Sequence, residues 1–243
     1  MPIERAVLRE RYGSTTPTLW GTDLPGVARR VEDRSPPTVA LTFDACGGPH
    51  ADGVDGALMD LLRREQLPAT LFLNARWVEA NQGLARDLAG DPLFEIGNHG
   101  TRHVPLSVTG RSAYGIAGTR SIDEVVDEVW FNHVALSELT GRAPRWFRSG
   151  TAHYDEVATA IVSDLGELPV GFVVNGDAGA TFTPAQVRRE VSAPATAGGA
   201  VVIMHMIRPS GGTAEGLTAA LPELRARGAR FVTLSGGGGA TTG

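Results

Sequence analysis

Short apolar strands alternate with amphipathic helical segments along the chain from residue 38 onward, without a Pro- or Ser-rich linker between them. Strands that alternate with helices in this way predict an α/β fold with a parallel sheet and right-handed crossovers. Seven such units indicate one domain built as a closed or nearly closed barrel, and an open doubly wound sheet is the alternative. The predicted strands are Val39–Phe43, Thr70–Leu73, Phe94–Ile96, Arg145–Arg148, Val170–Val174, Ala200–Met204 and Arg230–Leu234.

Three helical segments carry recognisable start signals. The sequence Ser121-Ile-Asp-Glu124 has the spacing of a capping box. Thr183 precedes a proline, which suits the first position of a helix because its φ is already helical. Asp155 and Glu156 are expected to begin another helix, where acidic side chains interact favourably with the helix dipole.

The two ends of the chain lack this alternation. Residues 1–37 contain five prolines and predict an N-terminal arm that lies across the barrel. Residues 236–243 are rich in glycine and predict a flexible tail. The predicted barrel domain therefore covers residues 38–235.

Composition limits the classes of partner. The chain has 243 residues, 42% of them hydrophobic, so it can bury a full core. A net charge of −5 leaves no basic patch for a phosphate backbone, which argues against nucleic acid and favours a neutral or basic substrate. The single cysteine, Cys46, excludes an internal disulfide and a cysteine-rich zinc module.

The sequence also bears on location. No stretch approaches the ~20 apolar residues of a membrane span, and charged residues occupy the positions where a signal peptide would need an apolar run. As written, the chain is expected in the cytoplasm, and in the cell envelope or outside the cell if it is a fragment.

Polar residues stand at or just beyond the carboxyl ends of several predicted strands. In barrel enzymes this is the face where the loops assemble the chemistry. Buried ionisable groups are costly unless they are paired, so their convergence indicates a functional site. These residues are Asp44, His99, Arg148, Asp177 and His205.

A divalent metal is the first explanation for this set. His99 and His103 are four residues apart, so a helical or turn-like segment would point both imidazoles the same way. Neutral imidazole is a favoured ligand of zinc, which is the expected metal. Such a pair also arises by chance on surfaces, and the prediction therefore depends on Asp44 and His205 beside it. The expected third ligand is a carboxylate or a sulfur.

These residues resemble the motifs of the polysaccharide deacetylases, carbohydrate esterase family 4, over roughly residues 39–234. The first family motif, Thr-Phe-Asp-Asp, is similar to Thr-Phe-Asp-Ala-Cys-Gly-Gly from Thr42, in which Ala45 takes the place of the second aspartate. The second motif, His-Ser/Thr-x-x-His, is matched from His99 to His103, with Gly100 in place of the usual hydroxyl residue.

The remaining motifs are matched in part. Arg-x-Pro-Tyr resembles the segment from Arg148, although the Pro-Tyr pair is absent and Tyr154 comes three residues late. The Asp-Trp motif is represented by Asp177, and Leu-x-His by the segment that ends at His205. The resemblance implies a distorted seven-stranded (β/α) barrel that removes N- or O-acetyl groups from chitin, peptidoglycan or xylan. It also implies that Asp177 orients Arg148 or His205.

Each site residue then has an expected role. A metal on His99 and His103 would polarise an acetyl carbonyl and lower the pKa of a water molecule. Asp44 is the predicted base, and Arg148 would keep it ionised. His205 would protonate the leaving amine or alkoxide.

The identity of the third metal ligand stays open because of the alanine in the first motif. Asp44 ranks first, in which case another group would serve as base. Cys46 ranks second and His50 third. Their alternatives are a small buried hydrophobe for Cys46 and a solvated loop residue for His50.

Two other functions remain compatible with the sequence. One is a non-catalytic relative that binds a glycan or a metal, and the other is an amidohydrolase for a small metabolite, with the arm as a lid. Tyr154, Trp77 and His153 are expected near the mouth of the site, either stacked on a sugar ring or packed within the protein. His133 is expected to be structural.

Overall fold

The computed structural model describes residues 1–33, 37–49, 51–193, 196, 198–238 and 240–242. Its helices are α1 (Arg5–Tyr12), α2 (Gly56–Arg64), α3 (Ala75–Ala80), α4 (Gln82–Gly90), α5 (Ile122–Thr140), α6 (Glu156–Asp164), α7 (Pro184–Val191) and α8 (Thr213–Ala226). Its strands are β1 (Ala28–Val31), β2 (Thr38–Ala45), β3 (Ala69–Leu73), β4 (Phe94–Asn98), β5 (Trp146–Phe147), β6 (Leu168–Pro169), β7 (Val174–Asn175), β8 (Ala200–His205), β9 (Arg230–Val232) and β10 (Ala240–Thr242).

The centre of the fold is β2, in which every residue is buried. A continuously buried run of this kind is typical of a parallel strand that is covered on both faces. β2 pairs in parallel with β3 on one side and with β8 on the other, and β9 runs beside its first residues. The strand that carries Asp44 is therefore held by three neighbouring strands.

Seven parallel strands in the described part of the chain, β2 to β8, form a nearly closed barrel within a single α/β domain. Pairing continues from β3 through β4 and β5 to β6, and β7 pairs with β8. Beside the open seam between β6 and β7, Ala28 at the start of β1 forms a bridge with Val170. The predicted barrel architecture is confirmed.

One predicted strand is wrong in its bounds. The segment Val170–Val174 lies mostly between β6 and β7 instead of forming one strand. Its backbone carbonyls have other partners: that of Gly171 accepts from Arg148 at 3.0 Å, and that of Phe172 accepts from Arg29 at 2.8 Å. Carbonyls bound to side chains are less available to a neighbouring strand, so the ladder is interrupted here.

The ends of the chain contribute regular structure. Within the predicted arm, α1 packs on α5 and β1 joins the sheet. Residues 240–242, which the sequence assigns to a flexible tail, instead pair as β10 with the edge of β1, whose backbone groups are available for pairing. The domain boundaries at residues 37 and 235 stay predictions. No helix of the described residues is long and apolar enough to cross a membrane.

The helix starts follow the predicted signals with one difference. Thr183 and Gln186 form a full capping box at α7, and Asp155 caps α6. Ser121 accepts from the backbone N–H of Glu124 at 3.2 Å. The Glu124 carboxylate, however, accepts from the backbone N–H of Arg120, one residue before the cap.

Candidate metal centre and active site

Asp44 and Arg148 form a buried ion pair at the carboxyl end of the barrel. An Asp44 oxygen lies 2.7 Å from Nη1 of Arg148, and both side chains are almost fully removed from solvent. Burial raises the pKa of Asp44, but the charges of Arg148, His99 and His205 outweigh it and bring that pKa below its ordinary value. The carboxylate is therefore ionised at neutral pH, and it lies opposite His205 in the register between β2 and β8.

His99, directly after β4, is held in one orientation by its Nδ1 atom. That nitrogen lies 2.8 Å from the backbone carbonyl oxygen of Arg148. Because a carbonyl only accepts hydrogen bonds, Nδ1 carries the proton and Nε2 of the neutral ring has a free lone pair. Nε2 lies 3.6 Å from an oxygen of Asp44 and 3.9 Å from Sγ of Cys46. Burial lowers the pKa of His99, but these two neighbours raise it overall.

The second histidine is brought to the first by a sharp turn. We call residues 98–104 the histidine loop. His103 has a left-handed backbone with φ 60°, and its ring meets that of His99 edge to face, with centroids 4.8 Å apart. The buried carboxylate of Glu128 on α5 secures the loop by accepting from the backbone N–H groups of Arg102 at 3.0 Å and Val104 at 3.4 Å.

A group of candidate metal ligands forms where the histidine loop meets the end of β2. The ligand atoms of Cys46, His99 and His103 all lie within 4.8 Å of one another. Asp44 is outside this group, and His50 lies outside the described residues. Burial raises the pKa of the Cys46 thiol, but the charge of His103 and contacts with His103, His205 and His99 lower it well below its ordinary value. A soft thiolate and two imidazoles are a donor set that suits zinc.

His205 and Asp177 form the other side of the site. Nδ1 of His205 lies 2.8 Å from one oxygen of Asp177. The second oxygen accepts from the backbone N–H of His205 at 2.7 Å and from the hydroxyl of Thr213 at 2.9 Å. Burial lowers the pKa of His205, but Asp177 raises it well above its ordinary value. Of the two partners implied for Asp177, its contacts are with His205, whereas Arg148 pairs with Asp44.

A cleft of about 830 Å³ lies beside these groups. Asp44, Cys46, His103 and His205 are in its wall, and other residues at its edge include Arg76, Arg102, Arg208 and Tyr114. Among the described lining residues, Asp44 is the only carboxylate, and it is already paired with an arginine. The cleft thus favours a neutral or acidic substrate, which differs from the neutral or basic one expected from net charge.

The aromatic residues proposed for sugar stacking are mostly internal. Tyr154 and Trp77 are fully buried, and the Tyr154 hydroxyl accepts from the backbone N–H of Ser149. Stacking by these two residues is therefore excluded, because neither ring faces the cleft. Tyr114, which sequence reasoning missed, is 83% exposed at the cleft, and its ring contacts that of His153.

His133, for which the sequence predicts a structural role, contacts a buried carboxylate. It contacts the buried carboxylate of Glu167 at 2.7 Å, and Asn98 donates to the same oxygen at 2.8 Å. Burial raises the pKa of Glu167 to about 7. This network supports the strand end from which the histidine loop begins.

Gly100 allows the histidine loop to lie against Glu128. A Cβ atom at this position would lie 2.5 Å from an oxygen of Glu128, and the backbone has φ +75°. The Glu128 side chain cannot move without giving up its bonds to the histidine loop. A hydroxyl residue, which the resembled motif has at this position, would therefore displace Glu128 in this chain.

Gly100→Ser is expected to lower the free energy of unfolding by about 1–3 kcal/mol more than the matched control Gly115→Ser. Gly115 has a similar φ of +77°, but a Cβ atom added there would have nothing within 4 Å, so it reports the backbone penalty alone. Urea denaturation of both variants measures the difference. Equal losses would show that the contact with Glu128 has no energetic weight.

The fold is a parallel barrel that carries a histidine pair and two buried ion pairs at one face. These features place the protein among the (β/α) barrel proteins with a candidate metal-dependent site. The chain belongs to the polysaccharide deacetylase family, because the family model described as "Polysaccharide deacetylase" matches residues 32–170, more than half of the sequence. This is the family that the sequence motifs resemble.

Individual relatives are more distant. An uncharacterised Bacillus subtilis protein, YlxY, is 26% identical over 180 residues, which are 73% of this chain; the chain spans about half, 51%, of that relative. A Bacillus anthracis pseudoenzyme of carbohydrate esterase family 4 has 23% identity and a TM-score of 0.69, covering 83% of this chain and 65% of its own. A peptidoglycan N-acetylglucosamine deacetylase has 22% identity and a TM-score of 0.71, covering 87% and 92%. At these identities the solved structures establish the fold alone.

Proposed function

We propose that the protein is a metal-dependent hydrolase that removes acetyl groups from an N- or O-acetylated carbohydrate of the chitin, peptidoglycan or xylan type. The observation that carries the proposal is the convergence, beside one cleft, of the Asp44–Arg148 pair, the two histidines and the His205–Asp177 pair, of which Asp44, His103 and His205 reach the cleft wall. Membership of the polysaccharide deacetylase family supports it.

In this proposal the residues act on two sides of the substrate: one group activates water and the other serves the leaving group. His99 and His103 would hold a divalent metal, which when bound would polarise the acetyl carbonyl and activate water. Asp44, kept ionised by Arg148, accepts the proton of the attacking water. His205, protonated beside Asp177, donates a proton to the departing nitrogen or oxygen of the sugar.

The cleft suits part of a sugar chain. Its volume, about 830 Å³, is in the range of sites that hold a ligand of a few rings. Tyr114 offers an exposed aromatic face for stacking on a sugar ring, and Arg208 offers a cation for a carboxylate or a hydroxyl. The preferred substrate is thus an uncharged or acidic acetylated oligosaccharide.

Acetate release from acetylated chito-oligomers, peptidoglycan and acetylated xylan tests this function. Zinc-loaded protein is expected to release acetate from at least one of them, and His99→Ala to be slower by on the order of 10³-fold, since a catalytic metal contributes several kcal/mol. Asp87→Asn is the control, because Asp87 is an exposed residue of α4 that pairs with Arg63. Equal rates for wild type and His99→Ala, or rates that a chelator leaves unchanged, contradict the metal-dependent function.

A non-catalytic glycan-binding or metal-binding protein is the second candidate. Ala45, where the family has an aspartate, favours it, and so does the similarity in fold to a pseudoenzyme. Binding of zinc and of an oligosaccharide without acetate release from any of the three substrates would support this candidate over the hydrolase.

A further inference from the structure

We propose that the Cys46 thiolate is the third protein ligand, with His99 and His103, of a thiophilic divalent metal of the zinc type. This inference rests on the proposed function and deepens it, because it names the group that replaces the second aspartate of the first motif. It departs from the ranking made from sequence, in which Asp44 came first.

The separations between the donor atoms match such a site. Zinc bonds of about 2.0–2.3 Å at a tetrahedral angle place two donor atoms roughly 3.5 Å apart. Sγ of Cys46 lies 3.9 Å from Nε2 of His99, and with His103 all three donor atoms lie within 4.8 Å of one another. Side-chain movements of a few tenths of an ångström to about an ångström would therefore complete the coordination.

The orientation of His99 is the one that a ligating histidine adopts. Its Nδ1–H is occupied by the carbonyl oxygen of Arg148 at 2.8 Å, so the lone pair of Nε2 is directed towards Cys46. A hydrogen bond on the far ring nitrogen fixes the ring and makes it a better ligand. This hydrogen bond is formed by groups of the protein alone.

The residue that replaces the aspartate offers no ligand atom to the site. Ala45 is fully buried in the apolar core, and the next residue, Cys46, joins the ligand group. The turn that follows packs closely on α3, because Gly47 has φ +68° and any Cβ there would lie 2.5 Å from the backbone nitrogen of Trp77. The position of the thiol is thus set by the packing of this turn on α3.

Asp44 is bound mainly by Arg148. One of its oxygens is held by Arg148 at 2.7 Å, and the other lies 3.6 Å from Nε2 of His99, but the carboxylate is not a member of the ligand group that includes His103. A thiolate ligand leaves Asp44 free to act as the base. In an Asp-Asp motif, one carboxylate is the metal ligand and the other is the base. Here the thiolate would be the ligand and the carboxylate the base.

This ligand set also selects the metal. Sulfur ligands favour zinc and other thiophilic ions over magnesium, calcium and manganese, which prefer oxygen. Cobalt(II) can replace zinc in such a site, and a sulfur–cobalt bond produces a charge-transfer band in the near ultraviolet. Since Cys46 is the only cysteine in the sequence, any such band is assigned without ambiguity.

Titration of the metal-free protein with cobalt(II) tests the proposal. The wild type is expected to develop the charge-transfer band, and Cys46→Ser to lose it and to bind cobalt about 100-fold more weakly or worse. Cys46→Asp is expected to bind cobalt without the band and to gain affinity for manganese relative to zinc. His99→Ala, which keeps the thiol, should also lose the band and so ties it to this site.

Two results would overturn the proposal. One is a cobalt complex of the wild type without the band, or with an affinity that Cys46→Ser leaves unchanged. The other is alkylation of the Cys46 thiol at the same rate with and without bound zinc, since a coordinated thiolate is protected.

None of these binding measurements requires turnover. A protein that shows the band but releases no acetate supports the ligand assignment and contradicts the proposed function. A protein that releases acetate in a metal-dependent reaction without the band supports the proposed function and contradicts the ligand assignment. The two failures are therefore distinguishable.

Discussion

Asp44→Asn is expected to lower kcat/KM for acetate release by about 10²–10⁴-fold, the contribution of a general base. Asparagine has the shape of aspartate but cannot take the proton of the attacking water. The substitution also leaves the buried Arg148 guanidinium without its anion, so the free energy of unfolding is expected to fall by about 3–5 kcal/mol. Urea denaturation measures this loss, and the rates are compared well below the unfolding midpoint.

Metal affinity decides between the two roles considered for Asp44. If Asp44 is the base, Asp44→Asn binds cobalt as tightly as the wild type. If affinity falls together with activity, Asp44 is a ligand and the ranking made from sequence stands. Asp87→Asn, at an exposed residue of α4 that pairs with Arg63, is the control and should change neither quantity.

Asp177→Asn is expected to shift the alkaline limb of the pH profile of kcat/KM to lower pH and to reduce the rate at pH 8 by about 10²-fold. The negative charge of Asp177 raises the pKa of His205, so its removal lowers that pKa. His205 then loses its proton at a lower pH. Because the protonated ring is the proposed acid for the leaving group, we expect activity to be lost as pH rises through a lower value.

Thr213→Val is the matched control for this shift. It removes one hydrogen bond to Asp177 and preserves the charge of the carboxylate. A purely structural role for Asp177 would lower the rate by the same factor at every pH in both variants. An alkaline limb that stays in place in Asp177→Asn would exclude His205 as the acid.

Much of the fold could be predicted because its signals are local. The buried run of β2 and the apolar runs before His99 and His205 define their own strands, and parallel pairing then aligns their ends. The segment Val170–Val174 has the same apolar character but is split, because side chains of Arg29 and Arg148 hold its carbonyls. Those arginines are far away in sequence, and no local pattern predicts their contacts.

The candidate site, too, could be predicted only in part. Spacing and strand ends indicated His99, His103 and His205, together with the acidic residue on β2. The sequence did not predict which of these residues contact one another. Asp177 contacts His205 and not Arg148, and Cys46 belongs to the ligand group of the two histidines while Asp44 does not. These choices depend on differences of an ångström or two between atoms of separate strands.

The exposed aromatic residue illustrates the same limit. Tyr154 and Trp77 were candidates for the cleft because each follows a predicted strand or turn, but both are fully buried. Tyr114, in a loop with no distinguishing pattern, is the one at the cleft. Burial of a ring depends on what packs over it, which sequence position does not reveal.

By itself, the sequence determined the barrel, the end of it that carries the candidate site and the residue types gathered there, since hydrophobic period and strand direction are properties of each segment alone. Only the tertiary structure decided which ligand atoms lie close enough together to share a metal ion, and which acidic and basic side chains form pairs. Coordination and proton transfer act over a few ångströms, and separations on that scale result from the packing of the whole barrel.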